Sequence, residues 1–574
     1  MKNAELKAGS PRPLPASSPI RILFILHSAF CILHCGCISH FGTGGTGEIV
    51  IADPRLHEVH TLDLQPATRP ATAEPTSQPN TQAATRPTSL PATRPAAQVP
   101  ISIEQCRQWA LQNNLDLRVD LLNPTIAREN LSEEEARFES LFTGGIDFSS
   151  INSPNVTQTV PGSGGGVFTV TGAKGTQSSA DAGLVVPLQT GGSINLSLPF
   201  SKSNFGGPVY SLSPALSINQ PLLRNGWFDA NAHPIRIAFY EYQISQALTK
   251  LEVIRVLADM ERAYWRLYAA REELAVRKKE YDLAAAQLDR ARRQARIGTG
   301  SEPDVVRAES GVADTLDAII TAENAVRDTQ RDLKRILNAP GLEMNSPTVL
   351  VPATKPDATL YQLDSDRLVR AATEQRMEML ETELRIAEEV SNVRLARNDM
   401  LPLVSLGYTY KVNGLGAVAE DAWSMVTRDD FKDHTLSLNV QVPLGNEAAR
   451  SRLRRALASR IQQLATQQQR ALQIQQEVLA AIDSLAANWQ RILAARTRVI
   501  AAARVVDVET RQFNLGLRTS TDVLDAQNRL ASAQSSEIAA LTDYQIAQVD
   551  LAFATGTLLG ASRVHWEPAP TPKP

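Results

Sequence analysis

Cysteine is nearly missing from this chain: four in 574 residues, with Cys31, Cys35 and Cys37 crowded at the N-terminus and only Cys106 further in. A disulfide scaffold is therefore excluded. Histidine is as lopsided. Five of the eight (His27, His34, His40, His57, His60) precede residue 61, which leaves His233, His434 and His565 for the rest. Zinc sites of the usual His/Cys kind have little to be built from there. No Ser/His/Asp or Cys/His constellation can be assembled either, so an enzyme is not expected, nor a metal or cofactor. Aromatics are 5%, and 58 basic residues against 61 acidic give a formal charge of −3. A balance so near neutral offers no electrostatic reason to expect nucleic acid as a partner. What is present, 43% apolar and 21% charged, is the composition of a folded protein. At roughly 100–200 residues per domain the length allows three or four compact domains.

The first hundred residues read as address and tether. Lys2, Lys7 and Arg12 precede a mostly apolar run at 20–33, IRILFILHSAFCIL. That run is shorter than the roughly 20 apolar residues of a spanning helix but fits the apolar segment of a signal peptide. Gly36-Cys37 then resembles a lipoprotein cleavage site, in which Cys37 becomes the lipidated N-terminus. An ordinary signal peptide, or a start codon placed too far upstream, are the other readings. The stretch Gly42–Gly47 spells GxGxxG, but a dinucleotide fingerprint needs a strand before it and a helix after it, and here it is linker. Repeated PATRP-like units at 66–70 and 91–95 cannot bury a core. The expected organisation is a signal peptide at 1–37, a Gly/Pro/Thr-rich tether at 38–100, a first repeat at 101–340, a linker at 341–361, a second repeat at 362–560 and a Pro-rich tail at 561–574.

Beyond residue 100 the pattern changes. Residues 235–297 and 447–515 contain neither proline nor glycine. In the first of these runs Val253, Leu257, Met260, Tyr264, Leu267 and Leu274 keep a 4-3 apolar spacing, which predicts a long helix packed side by side with others. At ~1.5 Å per residue each would reach roughly 95–105 Å. Both runs end alike: RIGTGSEPDVVRAE (296–309) and NLGLRTSTDVLDAQ (514–527) align Gly298 with Gly516 and Asp304 with Asp522. Each predicts a glycine C-cap, a tight turn, and a new helix opened by a capping box, Ser301-x-x-Asp304 or Thr519-x-x-Asp522. Shorter helices are expected at about 101–139, 304–338, 362–399 and 519–559, stacked in pairs to match the long ones. Trp265 and Trp489 read as packing between helices.

Strands are expected where the helices stop. Residues 142–149, 210–219, 404–412 and 436–444 alternate apolar with small or polar side chains, the pattern of lipid on one face and water on the other. A further hairpin, roughly Leu184–Phe200 turning at Gly191-Gly192, belongs to the first repeat only. Four strands cannot close a barrel, since single-chain barrels need at least about eight. Copies of the chain must therefore complete the sheet: two would supply eight strands and three would supply twelve.

Across 101–560 the chain resembles the outer-membrane efflux protein family, the TolC-like channels. The resemblance is carried by ISIEQCRQWALQNN (101–114), by INQPLL (218–223) with its counterpart VQVPLG (440–445), and by the two GxxxxxDV turns. It implies a mainly α fold with a β-barrel part. The unit helix, strand pair, long helix, helix is duplicated, and a trimer forms a long α-helical barrel topped by a shared 12-stranded transmembrane β-barrel. It implies an outer-membrane exit duct, its helical part in the periplasm, for a tripartite efflux pump or type I secretion system. The implied partners are two more copies of the chain, a periplasmic adaptor, an inner-membrane transporter of RND or ABC type, and outer-membrane lipid.

By the same resemblance Gly298 and Gly516 mark the tip turns that dock the adaptor. Asp522 and Asp525 match acidic rings that narrow the periplasmic entrance, and Arg518 with Asp304 matches a latch holding it shut. Phe513 stands where the family can carry a gate tyrosine, and Pro303 replaces a hydroxyl residue. Read without the family, Asp304 and Asp522 serve as helix caps, Asp525 sits on a solvated helix face, and Arg518 serves a helix C-terminus. The rival to the duct is a periplasmic coiled-coil adaptor or scaffold without a membrane barrel, which the four barrel-type strands argue against.

Overall fold

The computed structural model describes residues 98–154, 156–159, 167–170, 174–298, 300–515 and 517–564. Cys37, the leader, the tether and Gly516 lie outside them. In chain order the elements are β1 Gln98–Ile101, α1 Ile103–Asn113, α2 Leu115–Asp120, α3 Asn123–Glu135, β2 Leu141–Asn152, β3 Val156–Thr159, β4 Val167–Val170, β5 Lys174–Pro187, β6 Ser193–Asn204, β7 Pro208–Leu212, β8 Ala215–Pro221, α4 Trp227–Asn231, α5 His233–Arg296 and α6 Glu302–Leu337. There follow β9 Val349–Pro352, α7 Ser365–Gln375, α8 Met377–Asn398, β10 Leu403–Val412, β11 Gly414–Gly416, α9 Ala419–Arg428, β12 Lys432–Gln441, α10 Glu447–Asn514, α11 Ser520–Ala554 and α12 Leu558–Ala561.

The two long helices run unbroken for 64 and 68 residues, about 96 and 102 Å at 1.5 Å per residue. The shorter helices stack end to end against them, but two are interrupted. The segment at 101–139 breaks at Asn114, whose backbone turns extended (φ −60, ψ 127) so that its side chain can cap α2 by accepting from Leu117 N at 2.8 Å. The same amide donates to the Ile336 carbonyl at 2.9 Å, and Asn338 donates to the Asn113 carbonyl at 3.1 Å, which joins the α1–α2 corner to the end of α6. The segment at 362–399 breaks at Arg376, which is buried and paired with Glu378 and Glu477. A Cβ on Gly556 would meet the Arg376 side chain at 3.4 Å, so the end of α11 abuts this second corner.

The main core lies halfway along the rods. Val253, Leu257, Met260, Tyr264 and Leu267 of α5 meet Ile101, Cys106, Leu333, Leu337 and Leu350 there. A small parallel pair, β1 with β9, closes over them. The Tyr264 hydroxyl donates to the Ile101 carbonyl and accepts from Thr354 N at 3.0 Å, tying both short strands to the long helix. Trp265 stands edge-on to Tyr264 with ring centroids 5.3 Å apart, and Trp489 packs on Tyr544 at 5.7 Å. The thiol of Cys106 is buried in this layer and pushed up to about 12, chiefly by desolvation.

One charged node links three distant parts of the chain. Glu261, in the middle of α5 and 3% exposed, accepts from Arg107 Nε of α1 at 2.7 Å and from Ser562 Oγ beyond α12 at 3.1 Å.

The antiparallel sheet departs from expectation in its strand count. Its eight segments occupy six positions, in the order β2, β5, β6, then β7 with β8, then β10 with β11, then β12. β7 and β8 are one strand in register: β6 pairs Phe200 with Leu212 and Ser197 with Ala215 without a slip. The ladder is interrupted only at Ser213-Pro214, because proline has no N–H to give it. β5 and β6, the hairpin read at 184–200, are longer than that reading and pair with β2 on one side and with β7–β8 on the other. β12 starts at Lys432 and stops at Gln441, short of the expected 444, where Pro443 and the left-handed Gly445 (φ +85) turn the chain into α10.

In every ladder of this sheet an even-numbered residue faces an even-numbered one. The even face carries Phe142, Ile146, Leu184, Leu196, Leu216 and Leu436, all exposed. The odd face carries Thr143, Ser179, Asn195, Ser217, Thr409 and Thr435. The amphipathic helix α9 lies across the rim of the even face with Ala422 buried, where Gly414 lets its backbone approach.

Candidate functional site

The turns at the free ends of the long helices are set by the caps that end one helix and open the next. At the first turn α5 ends at Arg296 and Gly298 takes φ +80, the left-handed C′ conformation. Its N–H donates to the Ala295 carbonyl at 3.1 Å, and Gly300 N donates to the Gln294 carbonyl at 3.0 Å. The capping box expected at Ser301 is not made. Ser301 is the N-cap, but its hydroxyl donates to Asp304 Oδ2 at 2.5 Å instead of accepting a helix N–H. A hydroxyl used as donor to a carboxylate makes the stronger, charge-assisted bond. Asp304 also lies 3.5 Å from Arg307 Nη1.

At the second turn α10 ends at Asn514, and Leu517 N donates to the Gln512 carbonyl at 3.0 Å, a six-to-one closure across the position of Gly516. Here the capping box is complete. Thr519 Oγ1 accepts from Asp522 N at 3.4 Å, and Asp522 Oδ2 accepts from Thr519 N at 2.9 Å and from its hydroxyl at 2.8 Å. The backbone N–H and then the hydroxyl of Thr519 hold the Asp522 carboxyl below its ordinary range, with Arg518 adding to the effect. Asp525 is exposed one helical turn further on, and beside the two acids Val523 and Ala526 are buried.

Within the single chain Arg518 and Asp304 do not meet. Arg518 Nε lies 3.3 Å from Glu509 Oε2 and donates to Gln512 Oε1 at 3.0 Å. Each turn is thus closed by partners within its own helix pair, and sequence spacing alone did not single out Glu509 or Gln512. The two helix pairs do touch: Gln287 of α5 donates to Ser520 Oγ of α11 at 2.9 Å, and Leu524 packs on Gly311 of α6, where a Cβ would come within 3.3 Å.

Higher on the rods, near the sheet, Glu388 of α8 has a buried carboxyl oxygen without a hydrogen bond. Burial first, with Glu241 and Glu389 adding to it and Arg385 opposing, raises its pKa to about 7. Among the described residues no group of three or more His, Cys, Asp or Glu is placed to hold a metal, and no helix is long and apolar enough to cross a membrane. The sheet is the surface suited to lipid: one exposed apolar face, one small polar face, and strands of 10–14 residues, the length of outer-membrane strands.

A two-faced antiparallel sheet standing on paired helices about 100 Å long defines a class, the outer-membrane channels with a periplasmic helical part. The chain belongs to the outer membrane efflux protein family, whose profile matches residues 107–339 and 368–557. Outer membrane protein TolC of Vibrio cholerae is 26% identical to it over 359 residues, 60% of this chain and 77% of that one. The outer membrane protein VceC from Vibrio cholerae shares its fold with a TM-score of 0.58 at 14% identity, covering 79% of this chain and 96% of that one. The Campylobacter jejuni outer membrane channel CmeC does so with a TM-score of 0.57 at 14% identity, covering 84% and 94%. The protein is therefore an outer-membrane transport protein whose helical part lies in the periplasm.

Proposed function

We propose that three copies of this chain form a passive exit duct, the outermost stage of a tripartite efflux pump or type I secretion system. The observation that carries the reading is the sheet. It has an exposed apolar face, a polar face and two open edges, and it leads directly into the long helices. Open edges and a bare apolar face are unstable in water, and pairing with further copies within lipid removes both. The helices then continue the wall as a hollow cylinder. Leader and tether at 1–37 and 38–100 deliver the chain, with Cys37 as the residue that would carry a lipid.

Substrate enters at the helical tips. Under threefold symmetry Asp522 and Asp525 form a double ring of carboxylates, a constriction that selects for cations. Asp522 stays ionised there because Thr519 donates two hydrogen bonds to it. Arg518 and Asp304, each engaged within its own turn here, are the charged pair that would latch neighbouring turns in the closed assembly. The turns around Gly298 and Gly516, whose neighbours Ile297, Leu515 and Leu517 are exposed, would dock a periplasmic adaptor, which joins the duct to an inner-membrane transporter. The polar Ser, Thr and Asn of the odd face offer little discrimination between solutes, so substrate choice falls to the transporter.

The test is the state of the protein in its own membrane. Outer-membrane extracts should yield a heat-modifiable trimer. Recovery of the whole chain as a soluble periplasmic protein would overturn the duct in favour of an adaptor or scaffold.

A further inference from the structure

We infer that each copy builds the channel wall from six strands, not four, so that three copies close a barrel of eighteen. The number of copies rests on the duct reading above; the number of strands per copy is read from the sheet itself.

Among the described residues β2 pairs with β5 and with no other strand, and β7–β8 pairs with β6 on that side. Among the described residues the β5–β6 hairpin is therefore the only link between the first strand and the rest, not an appendage to a four-stranded sheet. It continues both faces of its neighbours. Leu184 and Leu196 carry the even row from Phe142 to Leu216, and Gly183 and Ser197 carry the odd row from Thr143 to Ala215. An excursion into the medium would have no reason to keep an exposed apolar row aligned with that of the wall. β5 and β6 also match the wall in length, 14 and 12 residues against 12 for β2.

The hairpin turn sits at the helical end of the sheet, not the far end. Trp227 N, at the start of α4, donates to the Thr190 carbonyl at 2.9 Å, and Gln220 bonds Thr190 twice, at 2.8 and 2.9 Å. Gly191 takes φ +83, and any Cβ there would strike the Asn225 carbonyl and Asn231. The turn is built into the junction between wall and rods.

The remaining edges are β2 and β12. With six strands in an up-and-down order these two run in opposite directions. The β12 edge of one copy can then join the β2 edge of the next antiparallel, even row to even row, and a second copy of the chain is the partner that fits. For strands ~4.8 Å apart and tilted ~40°, twelve would give a wall about 24 Å across between backbones and eighteen about 36 Å.

Single cysteines test this in outer-membrane vesicles carrying the full chain, with the parent chain as background for the native thiols. Leu196→Cys and Ser197→Cys probe β6; Ser405→Cys and Leu406→Cys probe β10. With a water-soluble maleimide, Ser197→Cys and Ser405→Cys should label roughly tenfold or more faster than Leu196→Cys and Leu406→Cys, since a thiol held in lipid is kept protonated. Equal labelling at 196 and 197, with alternation kept at 405 and 406, places the hairpin outside the wall and overturns the inference while leaving the duct intact. Loss of alternation at both pairs removes the barrel and the duct reading with it. Native mass spectrometry of the same sample should give three copies, and two copies would overturn the count of eighteen.

Discussion

Replacing Arg107 by methionine should destabilise the helical body through a residue it does not remove. Methionine keeps much of the arginine stem and its packing but leaves Glu261 as a buried carboxylate with one remaining donor, Ser562 Oγ at 3.1 Å. Breaking a buried pair from one side costs about 3–5 kcal/mol. The Arg107 side chain is 20% exposed, so some water reaches the vacated position and the expectation falls to about 2–4 kcal/mol. At ~2.1 cal/mol/K per residue, unfolding residues 98–564 carries an entropy near 1 kcal/mol/K, so Tm should drop by about 2–4 °C. The assay is the thermal melt of the helical circular dichroism signal in detergent. The decisive comparison is Arg107→Met with Glu261→Gln. Removing the charge as well should bring the double variant back to within about 1 kcal/mol of the parent, because Ser562 can still donate to the glutamine carbonyl. If the double variant is as unstable as the two single changes added together, Arg107 acts by packing and the stranded-charge reasoning is wrong.

At the tips, Asp522→Ala with Asp525→Ala should weaken the block of single-channel current by trivalent cations in planar bilayers, and unchanged block would refute the acidic ring. Thr519→Val removes one of the two hydrogen bonds that hold the Asp522 pKa down, so cation block should be lost at a higher pH than in the parent as pH falls. Arg518→Ala should raise the conductance of the closed channel, and identical conductance would count against the latch. Glu388 has its folded-state pKa raised to about 7 from 4.5. The folded state therefore binds its proton more tightly, so its contribution is full below about 4.5 and is lost as pH rises through about 7. Glu388→Gln should flatten that part of a Tm-against-pH series, and an unaltered slope would remove Glu388 as its source.

The rods were the most legible part of the fold, for a simple reason. A helix of this length tolerates no proline and little glycine, so its extent is written in what is missing from 235–297 and 447–515. The turn at Gly298 was legible because only a left-handed residue ends a helix that way cheaply. The sheet was half legible. Strong alternation shows at Phe142–Phe148 and Val404–Val412, but β5 carries Ala180 and Ala182 on its even row, where larger side chains would have announced the pattern. What no local pattern could show is contact between residues far apart in the chain. Asn114 reads as an ordinary polar residue until Ile336 arrives beside it, and Glu261 reads as a solvated charge until Arg107 and Ser562 enclose it. Ser301 failed differently: its spacing to Asp304 fits a capping box, but geometry turned the hydroxyl into a donor.

The β5–β6 hairpin both begins and ends at the far rim of the sheet, and an even number of strands leaves the alternation undisturbed. A single-residue insertion within a strand would turn the rest of that strand inside out, placing serines against lipid and leucines against water. A whole hairpin does nothing of the kind. If the sheet forms the wall proposed above, adding or removing one hairpin would change that wall in steps of two strands per copy without touching the helices beneath it, so the bore of the outer opening and the length of the rod would be set by separate parts of the chain.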